Sequence, residues 1–293
     1  MHSFLRTVGF YTVQNPTRER KLLRKIIKEA VAEGRVKYTP TGIATIMAPF
    51  GDDFGVCVKG TFNGIDKFKM EYYFPYLLND VAVNVEDISI ERHADKDSYA
   101  VVCDEVKAGV TLIFYLQNIV DYYTFKKNQR YVRHLYGRSI CLSGLSNNGT
   151  ILLPLDKSDK QIKKSKKDTS VRNNLIVAAR NGDEEAIESL TIEDLDIYSQ
   201  ISRRITREDL YSIVDTTFMP YGVECDQYSV IGEILELKSS VNPYTNETVY
   251  TMVLDCNDVI LKIAVNRTDL MGVPEIGRRF KGNLWISAHV NFE

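Results

Sequence analysis

The sequence predicts an α+β protein: an N-terminal, mostly antiparallel sheet with a helix, a small helical segment, and a C-terminal small β-barrel, OB-like or a meander. Three observations carry this. An early helical period of apolar residues gives way near residue 41 to alternation of period two. Short β-branched and aromatic runs are then parted by Gly, Asp and Asn turns. A lysine-rich stretch, after which helical spacing returns, separates the two β regions. With 293 residues, 44% hydrophobic, 26% charged and 10% aromatic, the composition is that of a folded globular protein.

Leu22, Leu23, Ile26, Ile27, Ala30 and Val31 recur at helical spacing, with Asn15 or Thr17 as N-cap and Gly34 as the left-handed residue past the end. The other face bears Arg18, Arg20, Lys21, Arg24, Lys25 and Lys28, and its plain reading is a solvated basic face. Strands are expected at residues 42–50, 54–62, 66–74, 83–90, 98–103 and 110–117. Residues 139–145 and 150–155 read as a hairpin whose Asn148-Gly149 pair suits positive φ in the turn, which closes an α+β domain over residues 1–155. Residues 156–170 hold six lysines and one large apolar side chain, so a linker is expected. A helical segment over 171–222 begins with Leu175, Ile176 and Ala179 before Gly182, then two helices opened by Thr191 and Thr206 as caps. Strands at 228–237, 248–254, 259–265 and 279–292 fill the barrel-like domain of 223–293, with turns at Asn242-Pro243-Tyr244 and Asn257-Asp258.

No secretory pattern opens the chain, and the longest apolar run, residues 110–116, falls far short of the ~20 residues a membrane helix needs. The five cysteines are scattered, with no C-x-x-C pair, so buried, reduced thiols in a cytoplasmic protein are expected rather than disulfides or zinc. The net charge of −2 conceals an asymmetry: residues 181–293 hold 9 Lys+Arg against 20 Asp+Glu, and subtraction from totals of 37 and 39 leaves 28 against 19 for residues 1–180. A basic half fits an acidic partner, and equally fits docking between halves or within a homodimer.

There is no G-x-x-x-x-G-K-[ST], G-x-G-x-x-G or H-E-x-x-H motif, and no cofactor is expected. His93, Asp95 and Asp97 offer an imidazole and two carboxylates, but Arg92 and Lys96 interleave them and a solvated hairpin explains the cluster better. Asp52 and Asp53 are paired carboxylates in what reads as a simple turn, and the four histidines are far apart. No catalytic constellation or metal site emerges. The richer signal is basic and aromatic: Lys126, Lys127, Arg130 and Arg133 interleave with Tyr123, Phe125 and Tyr131, cations for phosphates and rings for stacking. The competing reading buries the rings and leaves the cations at the sheet edge. The expected function is thus a non-catalytic cytoplasmic binding or scaffold protein whose basic N-terminal half meets an acidic partner, protein or nucleic acid. The alternative is an enzyme with an unfamiliar site drawn from Asp52, Asp53, His93, Asp95 or Asp97.

Three stretches carry a family resemblance: Met1-His2-Ser3-Phe4-Leu5-Arg6, the run from Ala178 to Leu190 (AARNGDEEAIESL), and the run from Phe218 to Tyr228 (FMPYGVECDQY). They resemble an uncharacterised family of cytoplasmic proteins from clostridia and related Firmicutes, along the whole chain. The resemblance implies a bacterial cytosolic setting and supplies no catalytic residues. Residues 175–190 also resemble the helix pair of one ankyrin repeat, without its Thr-Pro-Leu-His opening or a second copy.

Overall fold

The computed structural model describes residues 2–39, 42–63, 67–92, 98–105, 110–128, 134–155, 170–172, 174–179, 181–223 and 225–292. A 3-10 helix (Ser3–Val8) and α1 (Pro16–Ala32) precede β1 (Val36–Tyr38), β2 (Ala44–Pro49), β3 (Phe54–Asn63) and β4 (Lys67–Leu77), an antiparallel four-stranded sheet in that order. Then come β5 (Val83–Arg92), β6 (Tyr99–Glu105), β7 (Val110–Leu116), α2 (Ile119–Asn128) and β8 (His134–Leu152). After them lie α3 (Glu184–Ile205), the short α4 (Leu210–Ile213), β9 (Thr217–Pro220), β10 (Gln227–Val241), β11 (Thr248–Cys256), β12 (Val259–Asn266), β13 (Leu270–Met271) and β14 (Arg279–Val290).

These ten later strands form one sheet, its neighbours running β11-β12-β8-β5-β6-β7-β14-β10-β9, with β13 on β8 and further pairings of β8 with β14 and β10 with β11. Most pairs are antiparallel; β12 and β13 on β8, and β14 on β7, are parallel. Strands from both sides of residues 156–170 therefore share one hydrogen-bonded sheet, and the mixed α and β composition with mainly antiparallel pairing agrees with the sequence.

The local chemistry explains most boundaries. Asn15 Oδ1 accepts the Thr17 N–H at 2.8 Å and Pro16 occupies the first turn, so Asn15 rather than Thr17 caps α1. The turn after β11 places Asn257 and Asp258 at φ of 56° and 64°, the left-handed pair a tight hairpin needs.

Three expectations are corrected. Residues 139–155 contain no hairpin: β8 runs unbroken through Asn148-Gly149, where Asn148 Oδ1 accepts the Asn283 N–H from β14 at 3.1 Å. Gly149 serves close approach there, since a Cβ would lie 2.5 Å from the Phe280 ring. Thr191 opens no helix. It lies inside α3, its hydroxyl turned back to the Ile187 carbonyl at 2.8 Å, while Asp183 caps the helix by accepting the Ala186 N–H. Of the five cysteines, all free thiols, Cys225 is exposed and the other four are buried.

Alternation along the strands divides the interior in two. Ile140 and Leu142, Ile263 and Val265, and Leu284 and Ile286 lie in a core enclosed by the large sheet. Leu145, Ala264 and Trp285, from the same strands, join Leu5, Val8, α1 and the small sheet in a second core. Polar latches tie the layers. The Glu247 carboxylate accepts the N–H groups of Tyr11 and Thr12 at 2.8 Å each and the Asn266 amide at 2.7 Å. Lys262 is paired with Asp53 at 2.7 Å. No described helix is long and apolar enough to cross a membrane.

Candidate functional site

Register places Lys37 opposite Thr45 and Thr45 opposite Lys59, so β1, β2 and β3 present a row Lys37, Thr45, Lys59 on one face of the small sheet. Ile46, Ala48, Val56 and Val58, on the other face, share a core with Leu23, Ile26, Ile27 and Ala30 of α1. The row faces the start of α2 and the end of β14, and together they enclose a cavity of about 170 Å³ lined also by Met47, Leu78, Gln117, Asn118, Asp121 and His289.

The opposing wall is held by two amide side chains at the start of α2. Gln117 Nε2 donates to the Leu77 carbonyl at 3.1 Å and to Ser287 Oγ at 2.7 Å. Asn118 brackets Val290, accepting its N–H at 3.1 Å and donating to its carbonyl at 2.9 Å, and also lies 3.2 Å from Asp121 Oδ2 and 3.3 Å from His289 Nε2. Ile119, Val120 and Asp121, the first residues of α2, line the same cavity as the two lysines.

Lys59 is 2% exposed, a burial lysine adopts rarely because the ammonium loses its hydration. The rings of Tyr72 and Phe74 lie 5.3 and 5.9 Å from its Nζ. Beside it the Cys57 thiol is pushed up to about 12 by burial, with Lys59 pulling the other way, so Cys57 stays protonated. Thr45 is also buried, and its Oγ1 has no hydrogen-bond partner among the described residues. Burial holds His289 below the ordinary imidazole range, Asp121 opposing and Lys37 adding to the effect, so the ring is neutral at pH 7.

A wider depression of about 710 Å³ lies along β8 and β14, but several of its polar groups are already engaged. Asp269 is paired with Arg6, Asn148 with the Asn283 backbone, and Lys281 with Tyr211. The smaller cleft keeps an unsatisfied hydroxyl and is the stronger candidate.

The residues singled out from sequence are dispersed. Lys126 and Lys127 are exposed in the last turn of α2, an element the sequence did not announce because its apolar residues follow no clear helical period. Tyr123 and Phe125 are half-buried against the core: Tyr123 meets the Tyr99 hydroxyl at 2.9 Å, and Phe125 stacks on Phe292 at 5.3 Å. Arg130, Tyr131 and Arg133 lie outside the described residues, as do His93, Asp95 and Asp97. Asp53 is bound to Lys262 and Asp52 is exposed. Arg18, Arg20, Lys21, Arg24, Lys25 and Lys28 are all exposed on α1. No group of three metal-ligating side chains occurs among the described residues. Sequence reasoning passed over Lys59, whose one signal was a lysine inside an otherwise apolar strand.

Fold and site define a mixed α/β protein of mainly antiparallel sheets with a small cationic cleft between its layers. A family model described as "Domain of unknown function, E. rectale Gene description (DUF3881)" matches residues 5–288, and the chain belongs to that family, which is named for a clostridial Firmicute. No curated protein and no solved structure matches it.

Proposed function

We propose that this chain is a cytoplasmic, non-catalytic binding protein that holds a small anionic ligand in the cleft between its two sheets. One observation carries the reading: the buried Lys59 ammonium and the buried, unpartnered Thr45 hydroxyl are cross-strand neighbours on the same cavity. A buried donor with nothing to bond costs about 1–3 kcal/mol, a cost that a bound acceptor removes. An apolar cavity of about 150 Å³ holds benzene, so a space of similar size suits a ligand of roughly six to eight heavy atoms. Inorganic phosphate and short carboxylates fit; a nucleotide does not. The free thiols, one of them exposed, support a reducing compartment.

Thermal unfolding against phosphate, acetate and succinate tests this. At least one anion is expected to raise the midpoint saturably, by the equivalent of about 2.7 kcal/mol at a hundred times its Kd. Lys59→Met should abolish the shift. Thr45→Val should stabilise the ligand-free protein by about 1 kcal/mol, because it removes a desolvated hydroxyl at nearly constant shape. The same substitution should weaken anion binding at least about tenfold, since a charge-assisted hydrogen bond of roughly 1.5–3 kcal/mol is lost. If no anion moves the wild-type midpoint and Thr45→Val destabilises, the reading fails.

A second reading keeps an acidic macromolecule as partner, supported by the exposure of Lys126 and Lys127. Binding of single-stranded DNA or RNA that falls by orders of magnitude between about 50 and 200 mM salt would favour it. We also read β10, β11, β12, β8 and β14 as a small OB-like barrel; its support is that β14 pairs with both β8 and β10, and β10 with β11.

A further inference from the structure

The cleft between the two sheets has two electrical ends. Lys37, Thr45 and Lys59 stand on the small-sheet wall, and Asp121, in the first turn of α2, stands on the wall opposite. Asp121 is the one carboxylate on the lining among the described residues. Its Oδ2 accepts the Asn118 amide at 3.2 Å, and it forms no ion pair with either lysine across the cavity. His289, on the same lining, feels both ends: Asp121 favours its charged form and Lys37 opposes it. Met47, Leu78, Ile119 and Val120 add hydrocarbon, while the Gln117 and Asn118 amides are taken up by backbone and side-chain neighbours.

A simple anion satisfies only one of these ends. Its charge meets the lysines and the Thr45 hydroxyl, but leaves the Asp121 carboxylate facing like charge across a cavity of about 170 Å³. An ammonium on the same ligand turns that repulsion into a charge-assisted hydrogen bond. We propose that the ligand is a small amino acid, its carboxylate held by Lys59, Lys37 and Thr45, its ammonium by Asp121, and its short aliphatic body by the apolar lining. A space for roughly six to eight heavy atoms takes alanine, 4-aminobutyrate or valine, and excludes the long and aromatic amino acids. The inference rests on the anion-binding reading for the carboxylate end; Asp121 supplies the other. A carboxylate in a first helical turn also suits the helix dipole, so the decisive readout is discrimination between ligands and not stability.

Calorimetric titration of the full chain at pH 7, where amino acids are zwitterions, compares alanine with propionate and 4-aminobutyrate with butyrate. Within each pair the carbon chain and carboxylate match, and only the ammonium differs. At least one amino acid is expected to bind about tenfold or more tightly than its matched carboxylate, the worth of one charge-assisted hydrogen bond. The pair that shows the preference reports the spacing between the two ends. Asp121→Asn keeps an oxygen for Asn118 and removes the charge; it should erase the preference while binding propionate and butyrate as well as wild type or better. Asp121→Ser, a second variant that also keeps an oxygen, should do the same. Carboxylates that bind wild type as tightly as their amino acids overturn the proposal and leave the anion reading standing. So does a preference that survives both substitutions. If none of the four ligands binds, the amino-acid proposal falls, and phosphate then decides whether the anion reading stands.

Discussion

His289 stands at the end of β14 with Asn118 on one side and the cleft on the other. Its position makes stability depend on pH in a definite direction. Burial lowers its folded-state value below the ~6.5 of an unfolded chain. The unfolded state therefore binds the extra proton first: the contribution is complete above about pH 6.5 and is lost as pH falls toward the folded-state value. Denaturant midpoints measured between about pH 5 and 7 should rise with pH in wild type, and His289→Gln should flatten that slope. Lys59 shows how a residue becomes informative only in three dimensions. In the sequence it is one lysine in a strand; in the fold it is a buried cation two strands from Lys37, beside a hydroxyl with nothing to bond.

Among the elements, agreement between sequence and structure follows how local the cause is. The strands over 44–77 and 83–116 lie within a few residues of the expected spans, because alternation and turn residues act at short range. The same Asn-Gly pattern misled at β8, where Gly149 and Gly282 are register partners and the Phe280 ring takes the space a side chain would need. Gly149→Ala should accordingly cost about 1–3 kcal/mol in denaturant unfolding, by forcing a Cβ against a fully buried ring. A glycine selected for turn conformation would show little crowding there. The single helix of 184–205 illustrates a different ambiguity: a threonine followed by acids reads as a start, yet its hydroxyl bonds as well to the carbonyl one turn back.

Across the whole molecule, Arg279 joins the two ends of the excursion that leaves β8 and returns at β9. Its buried guanidinium donates to the Leu153 carbonyl at 3.0 Å on the outgoing side, and to the Tyr211 and Val214 carbonyls at 2.7 and 2.6 Å on the returning side. Arg279→Met should cost roughly 2–4 kcal/mol, since several charge-assisted hydrogen bonds are lost together. Amide exchange should accelerate in α4 and β9 well before β11 and β12, and equal acceleration throughout would show that the arginine is not a local clamp. The charge division between residues 1–180 and 181–293 belongs to this scale too. Lys262–Asp53 and Arg6–Asp269 each join one half to the other, so part of that asymmetry is spent inside the fold.

The sequence by itself determined the period of α1 and of most strands, the glycine past the end of α1, the acidic and basic halves, and the family, because each is written in neighbours along the chain. Tertiary structure alone decided which strands share a sheet, that the rings of Tyr123 and Phe125 pack inward, and that Lys37, Thr45, Lys59 and His289 surround one cavity. Those outcomes depend on cross-strand register and on contacts between residues far apart in the chain, such as Arg6 and Asp269, 263 positions apart. Hydrophobic burial is non-directional, so a pattern along the chain states that a face is buried but not against what.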